Sequence, residues 1–228
     1  MGLDMYLEKM PRYKGATAKD VAAIENYLDW KQQKEDPQSG AKNCTLKKWC
    51  GLDYKDVPKG NMMKFYEPFF TIKYPEWDKE KKYGWGRITE QVGYWRKANQ
   101  IHNWFVDHVQ DGIDDCGYHH EVTKEILEEL LDTCQIVLDN STLVSGQIEN
   151  GYTFDADGNK KYQYQDGYVV ADSSVAEELL PTCSGFFFGG TSYDQWYVDD
   201  IKDTIDIITK VLETTDFDKE MIYYVSSW

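Results

Sequence analysis

The chain has 228 residues, which is enough for one domain with a substantial core and additional peripheral segments. Its 40 acidic and 25 basic residues give a formal net charge of −15, which disfavours direct binding to nucleic-acid phosphates or anionic membranes. No apolar run reaches the roughly 18–20 residues of a transmembrane helix, and the first residues lack the apolar core of a signal peptide. The sequence therefore predicts a cytoplasmic protein.

Cysteine and aromatic content indicate the environment of the chain and the character of its surface. The five cysteines are odd in number, and Cys134 falls on the apolar face of a predicted helix, which favours reduced thiols over a disulfide scaffold. Eight Trp and 17 Tyr raise the aromatic fraction to 15%. Many of these rings must fill the core, but Trp and Tyr also stack on planar ligands and recur at protein interfaces.

The first third of the chain predicts one strand, one helix and an irregular segment. Apolar and polar residues alternate over residues 3–8, as in a half-buried strand. Thr17 and Asp20 have the spacing of a capping box, and apolar residues at helical spacing follow. Residues 37–62 are rich in Gly, Lys, Asp and Asn, which predicts an irregular excursion with one short helix near 46–50.

Residues 88–116 predict one long, buried helix with polar groups inside its apolar arc. At about 100° per residue, one stripe of this helix would contain Val92, Trp95, Asn99, His102 and Val106, with Arg96 and Asn103 at its margin. Burying such polar groups without partners costs roughly 1–3 kcal/mol each. We therefore expect Asn99 and His102 to be buried and to be satisfied either by the protein or by a ligand.

The second half of the chain predicts two more long helices and a hairpin. Thr123 caps an amphipathic helix, and residues 146–170 resemble a hairpin arm with Asp-Gly turns at 157–158 and 166–167. The GFFFGG segment at 185–190 predicts a buried strand, and a helix over 194–213 and a closing strand follow it. Together these elements predict a single α+β domain that includes residues 1–228, with a small, mainly antiparallel sheet, about four helices and a β-hairpin arm.

Several motifs in combination resemble those of a known group of proteins. They are GLDMYL (2–7), VGYWRKANQIHNWFV (92–106), DDCG (114–117), ELLPT (178–182), GFFFG (185–189) and SSW (226–228). With them the chain resembles a family of uncharacterised phage- and prophage-associated proteins that open with the same GLDMYL. The resemblance implies a cytosolic protein in a phage context and does not imply a reaction. Accessory proteins of this kind often act against host defences, by sequestering a nucleotide signal or by blocking a defence protein.

The first candidate site lies on the predicted central helix. Trp95 would stack on a planar base and Arg96 would hold an anion, while Asn99, His102 and Asn103 would supply directional hydrogen bonds. The alternative is an internal polar network in which His102 and Asn99 bond backbone carbonyls. The mixture of an aromatic ring with convergent polar groups is typical of ligand sites, so both interpretations stay open.

The second candidate site is GGTSYDQWY, residues 189–197, at the start of the last long helix. Glycines allow close approach of a ligand, free N–H groups at a helix start hold anions, and Tyr193, Trp196 and Tyr197 would form walls. The alternative is that Ser192 or Asp194 caps the helix and the rings pack on the sheet. The turn matches no P-loop or dinucleotide fingerprint, so no cofactor is expected.

A metal site and a nucleophile receive less support from the sequence. Cys116 and His119, with His108 upstream, have part of a zinc-ligand spacing, but a second pair of ligands is missing. Solvated turn residues explain them better. No nucleophile elbow accompanies a Ser, and the Cys–His pairs match no protease pattern.

These observations leave three functional hypotheses. The favoured one is a non-enzymatic protein that binds a small planar anionic ligand, such as a nucleotide-derived signal, and sequesters it. The second is an inhibitor of a host defence protein through acidic helix faces, namely Glu125, Glu128, Glu129 and Asp132 on one helix and Asp199, Asp200 and Asp203 on another. The third is an enzyme with His102 as general base. A homo-oligomer is also expected, because the Tyr-rich hairpin at 151–170 would expose much aromatic surface.

Overall fold

The computed structural model describes residues 2–36, 39–73, 84–185 and 187–228. Residues 37–38 of the predicted excursion and Phe186 of the predicted strand at 185–190 lie outside the described residues. Within the described ranges the protein contains seven α-helices, a four-stranded antiparallel sheet and two further two-stranded sheets. The predicted α+β class is therefore confirmed. None of the described helices combines the length and the apolar composition that are needed to cross a bilayer.

Eight strands form the three sheets. They are β1 (Asp4–Pro11), β2 (Thr71–Lys73), β3 (Trp85–Arg87), β4 (Glu90–Arg96), β5 (His120–Val122), β6 (Leu143–Phe154), β7 (Lys160–Val170) and β8 (Glu220–Ser227). The main sheet has the order β4-β1-β8-β5, while β2 pairs with β3 and β6 pairs with β7. Six consecutive residues of β8 are buried, which is typical of a central strand covered on both faces.

Four of the seven helices are longer than ten residues. The helices are α1 (Ala18–Gln33), α2 (Leu46–Cys50), α3 (Asn61–Tyr66), α4 (Asn99–Val109), α5 (Lys124–Asp139), α6 (Ser174–Leu179) and α7 (Gln195–Thr214). Polar side chains cap the N-termini of α1 and α7 at the positions that the sequence predicts. Thr17 and Asp20 form both hydrogen bonds of a capping box at α1, and Asp194 accepts from the first N–H groups of α7.

The chain divides into two compact units. One comprises Met1–Leu7, Val92–Thr215 and Tyr224–Trp228, and the other comprises Glu8–Gln91 and Asp216–Tyr223. The core of the second unit is an apolar cluster on α1, α3 and neighbouring strands. Its buried members are Met10, Val21, Ile24, Leu28, Tyr66, Ile88, Met221 and Tyr223.

The predicted helix over 88–116 was wrong in its first half and too long at its end, because α4 ends at Val109. Residues 90–96 form β4, and the helix begins only at Asn99. Lys97 has a positive φ of 65°, which turns the chain between the two elements, and its N–H donates to the carbonyl of Leu3. Because side chains alternate along a strand, Trp95 points into the core while Arg96 is exposed.

The predicted strand at 185–190 was also wrong. The described residues of this segment form a turn and a loop, in which Phe188 is buried and Phe187 is half exposed. Phe187 has a φ of 60° and Gly189 a φ of 101°, and neither conformation belongs to a strand. Residues 185 and 187–190 therefore form an irregular loop, which we call the Phe-Gly loop.

The hairpin arm, β6 and β7, is confirmed with one change. Its pairing extends from Leu143 opposite Val170 to Phe154 opposite Lys160. The Asp-Gly pair at 157–158 forms the turn, as predicted, but Asp-Gly at 166–167 continues β7 as a strand. Inside the ladder, a Cβ at Gly167 would approach Ile148 to 2.6 Å, so glycine is needed there for packing.

Candidate functional site

A concavity with mixed polar and aromatic walls belongs to the first unit. A cavity of about 690 Å³ is lined by residues from the end of β4, the start of α4, the Phe-Gly loop, the first turns of α7 and strand β6. This volume falls within the range of small-molecule sites, which is roughly 300–1,000 Å³. The cavity therefore holds the candidate site, and its chemistry follows from three groups of side chains.

The first group is a pair of adjacent cations. Arg96 ends β4 and Lys97 follows it in the turn, and both exposed side chains line the cavity. Guanidinium and ammonium groups donate several hydrogen bonds to phosphate or carboxylate oxygens, and Arg does so through two parallel bonds. The pair forms a local basic site in a strongly acidic chain.

The second group is a set of aromatic rings. Trp196, Phe187 and Tyr152 line the cavity from α7, the Phe-Gly loop and β6. Their exposed fractions are 54%, 52% and 42%, although large rings are usually buried. Partly exposed rings around a cavity offer flat apolar surfaces on which a planar ligand can stack.

The third group is a carboxylate held by an amide. Asp200 on α7 and Gln100 on α4 both line the cavity, and Gln100 Nε2 donates to Asp200 Oδ2 over 3.1 Å. Gln100 is only 2% exposed. Burial raises the pKa of the Asp200 carboxyl to about 6, against the opposing effect of the Gln100 hydrogen bond. The ionised carboxylate is therefore an oriented acceptor held at a cost in free energy.

Two further carboxylates line the cavity. Asp194 caps α7 by accepting from the N–H groups of Trp196 and Tyr197, and burial raises its pKa. Glu149 lies on β6. Because Asp194 accepts these two hydrogen bonds, its side chain has a structural role at the start of α7. That outcome agrees with the capping alternative for residues 189–197.

Asn99 lines the cavity but is occupied by the protein itself. Its side-chain N–H₂ donates to the carbonyls of Phe188 and Gly190 over 3.2 and 2.8 Å, and its Oδ1 accepts from the N–H of Cys183 over 2.9 Å. The prediction that Asn99 is buried is confirmed at 2% exposure. Asn99 thus anchors the Phe-Gly loop, as the internal-network alternative proposed.

His102 is buried at 1% exposure, as predicted, and lies away from the cavity lining. Its Nδ1 is 2.6 Å from the hydroxyl of Tyr224, and its Nε2 is 3.2 Å from a carboxylate oxygen of Asp114. The ring packs edge-on against Phe188. Burial raises the pKa of Tyr224 well above its ordinary value, so this tyrosine stays neutral and hydrogen-bonded.

The structure brings together only half of the predicted site residues. Arg96, Asn99, Trp196 and Tyr197 line the cavity, whereas Trp95, His102, Asn103 and Tyr193 do not. The Trp95 indole donates to Thr204 Oγ1 over 2.9 Å inside the core. The Asn103 amide reaches Asp107, the Tyr193 hydroxyl accepts from Thr182 N–H, and the Tyr197 hydroxyl donates to Leu180 O.

The sequence interpretation missed Lys97, Phe187 and Gln100. In a single helix over 88–116, Lys97 would point about 100° away from Arg96 around the helix axis. In a buried strand at 185–190, Phe187 would lie in the core. A Lys in the left-handed region and a Phe beside two glycines carry no clear pattern. The i, i+4 spacing of Trp196 and Asp200 was readable, since such residues share one face of a helix.

Backbone strain is concentrated at the cavity. In the described part of the chain three non-glycine residues have positive φ, and two of them, Lys97 and Phe187, line the cavity. Such conformations cost of order 1–3 kcal/mol and persist where the surrounding structure enforces them, often at binding sites. The two strained residues therefore lie in the same cavity as the cations and the exposed rings.

Neither a metal site among the described residues nor a similar known protein assigns a function to the cavity. Among residues 2–36, 39–73, 84–185 and 187–228, no group of three or more His, Cys, Asp or Glu side chains is arranged to hold a metal ion. No protein-family model, no curated protein and no solved structure matches the chain. The resemblance to phage-associated proteins stays a prediction.

Proposed function

We propose that the protein binds a small, planar, anionic ligand of the nucleotide type in the cavity. Arg96 and Lys97 hold the phosphate, and the base lies on the indole of Trp196. Two adjacent cations and three exposed rings line one cavity of about 690 Å³, and this observation supports the proposal most strongly. Phosphate and base require this combination of charge and flat apolar surface.

The binding energy would come from a few contacts, namely those with the two cations and with the stacking ring. A net charge of −15 repels anions at long range, so affinity depends on the local pair of cations. Stacking of a base on an aromatic side chain contributes roughly 1–3 kcal/mol. In the phage context implied by the sequence resemblance, the protein sequesters a nucleotide signal of the host defence.

The position of His102 favours binding over catalysis by this residue. A general base must come within hydrogen-bond reach of the proton that it removes. His102 is 1% exposed, its ring nitrogens face Tyr224 and Asp114, and it is not part of the cavity lining. An enzyme with His102 as base would need a rearranged core.

The test is isothermal titration calorimetry with nucleoside monophosphates and cyclic dinucleotides. We expect Arg96→Lys to weaken binding although the charge is kept, and Arg96→Ala to weaken it at least about tenfold, because a bidentate contact is lost. Trp196→Ala should weaken binding roughly 5- to 150-fold.

Matched controls lie in the second unit. Trp85 is 58% exposed and Arg87 is an exposed cation, so Trp85→Ala and Arg87→Ala remove similar side chains that do not line the cavity. These variants should bind like the wild type. If no nucleotide binds, or if binding ignores both Arg96 and Trp196, the proposal is wrong.

A second candidate function has one supporting observation. Four exposed carboxylates line the outer side of α5, namely Glu125, Glu128, Glu129 and Asp132. We propose that this face inhibits a basic host protein if the cavity binds nothing. Asp200 does not belong to such a surface, because it faces Gln100. Binding that falls steeply with salt and is lost on replacing the α5 carboxylates would support this function.

A further inference from the structure

Trp196 and Asp200 are placed to contact the same ligand. They are four residues apart on α7, and both line the cavity. Residues at this spacing lie on one helix face with Cβ atoms about 5–6 Å apart. A base stacked on the Trp196 ring therefore brings one edge towards the Asp200 carboxylate.

The Asp200 carboxylate can only accept hydrogen bonds when it is ionised. Gln100 Nε2 donates to Oδ2 and thereby fixes the carboxylate, while Oδ1 keeps its acceptor capacity and Oδ2 retains a second lone pair. A ligand that displaces water from this acceptor loses affinity unless it supplies a hydrogen-bond donor in its place. The ligand edge at this point must therefore present N–H groups.

The bases differ in the edge that they offer. Guanine presents a ring N–H next to an exocyclic amine, and the two parallel donors match the two oxygens of one carboxylate, as in an Arg–carboxylate pair. Adenine places an amine beside a ring acceptor, hypoxanthine lacks the second donor, and xanthine has a carbonyl in its place. A carboxylate thus distinguishes guanine from all three.

We propose that the cavity selects a guanine-type base and that Asp200 recognises its two adjacent N–H donors. This inference rests on the proposed function, in which Arg96 and Lys97 hold the phosphate. It also explains why a carboxylate lines a site for an anion, where it would otherwise repel the ligand. Its raised pKa shows that burial disfavours the charge, so the charge is retained against a cost in stability.

The test compares guanosine, inosine, adenosine and xanthosine monophosphates by calorimetry at pH 7.5. For the wild type we expect guanosine monophosphate to bind at least about tenfold tighter than the other three, since a lost buried hydrogen-bond pair has this effect. Asp200→Asn should lose that preference and gain affinity for xanthosine monophosphate, because the new amide N–H₂ can donate to the xanthine carbonyl. Asp203→Asn, an exposed change on the same helix, should behave like the wild type.

The outcomes separate this inference from the proposed function. If all four nucleotides bind the wild type equally, or if Asp200→Asn leaves the preference unchanged, recognition by Asp200 is refuted while nucleotide binding stands. If none of the four binds, nor any other nucleotide, the proposed function fails as well. A gain for xanthosine monophosphate cannot arise from unfolded protein, so it supports the inference even where the variant loses stability.

Discussion

Asp200→Asn should change how the free energy of unfolding depends on pH. In the folded protein, burial raises the pKa of Asp200 from 3.8 to about 6. The unfolded chain exposes the carboxyl and restores the ordinary value. The folded state therefore binds the proton more tightly than the unfolded state. Stability from this group is fully present below pH 3.8 and is lost as the pH rises through about 6.

The size of the effect follows from the two pKa values. Each pKa unit corresponds to about 1.4 kcal/mol, so the ionised carboxylate lowers the free energy of unfolding by about 3 kcal/mol at pH 7. Asn keeps an oxygen that accepts from Gln100 and has no charge to bury. The unfolded carboxyl is already more than half ionised at pH 4, so the stability difference between Asp200→Asn and the wild type should grow by about 2 kcal/mol from pH 4 to pH 7.

Urea unfolding followed by circular dichroism at pH 4, 5, 6 and 7 measures this difference. Other carboxyls titrate in the same range, but they do so in both proteins and cancel in the comparison. Asp206→Asn, an exposed change on α7, is the control and should show a small difference at every pH. A difference for Asp200→Asn that is constant from pH 4 to pH 7, or that shrinks, would refute the burial of a costly charge.

Three further measurements test the Lys97 turn, the Asn99 hydrogen bonds and the exposed hairpin arm. Lys97→Gly relieves the φ of 65°, so it should be about 1 kcal/mol more stable than Lys97→Ala in urea unfolding, while both weaken nucleotide binding. Asn99→Leu should lower the free energy of unfolding by more than 1 kcal/mol, because three backbone groups lose their hydrogen-bond partner. Asn103→Leu should lower it by less, and equal losses would argue that Asn99 does not anchor the Phe-Gly loop. Light scattering should show an oligomer at micromolar concentration that Tyr164→Lys in the exposed arm weakens; a monomeric wild type would contradict this.

Local sequence signals located the starts of three long helices. Thr17 with Asp20, Thr123 and Asp194 each carry an oxygen that bonds a first-turn N–H group, and the structure uses all of them as caps. The Asp-Gly pair at 157–158 set the hairpin turn. Such signals are readable because donor and acceptor are only a few residues apart.

The boundary between β4 and α4 was not readable in the same way. Val92 and Trp95 fit a helical stripe as well as a strand, and the turn between the two elements is made by Lys97, which usually avoids positive φ. The chain adopts this conformation because the Lys97 N–H bonds Leu3 O across the sheet. A contact between residues that are far apart in sequence overrode the local preference.

Burial of the polar side chains was predictable, but their partners were not. The apolar arc around Asn99 and His102 required both to face the core, and they do. Their partners, Phe188, Gly190 and Tyr224, are about a hundred residues further along the chain. No local pattern connects these segments, so the sequence could not decide between a ligand and the protein as the partner.

A crystal structure of the protein with the nucleotide that binds most tightly in calorimetry would show whether the cavity is the binding site. We expect a base on the Trp196 ring and a phosphate between Arg96 and Lys97, within the cavity of about 690 Å³. A nucleotide bound at any other surface, or an empty cavity at saturating nucleotide concentration, would contradict this expectation.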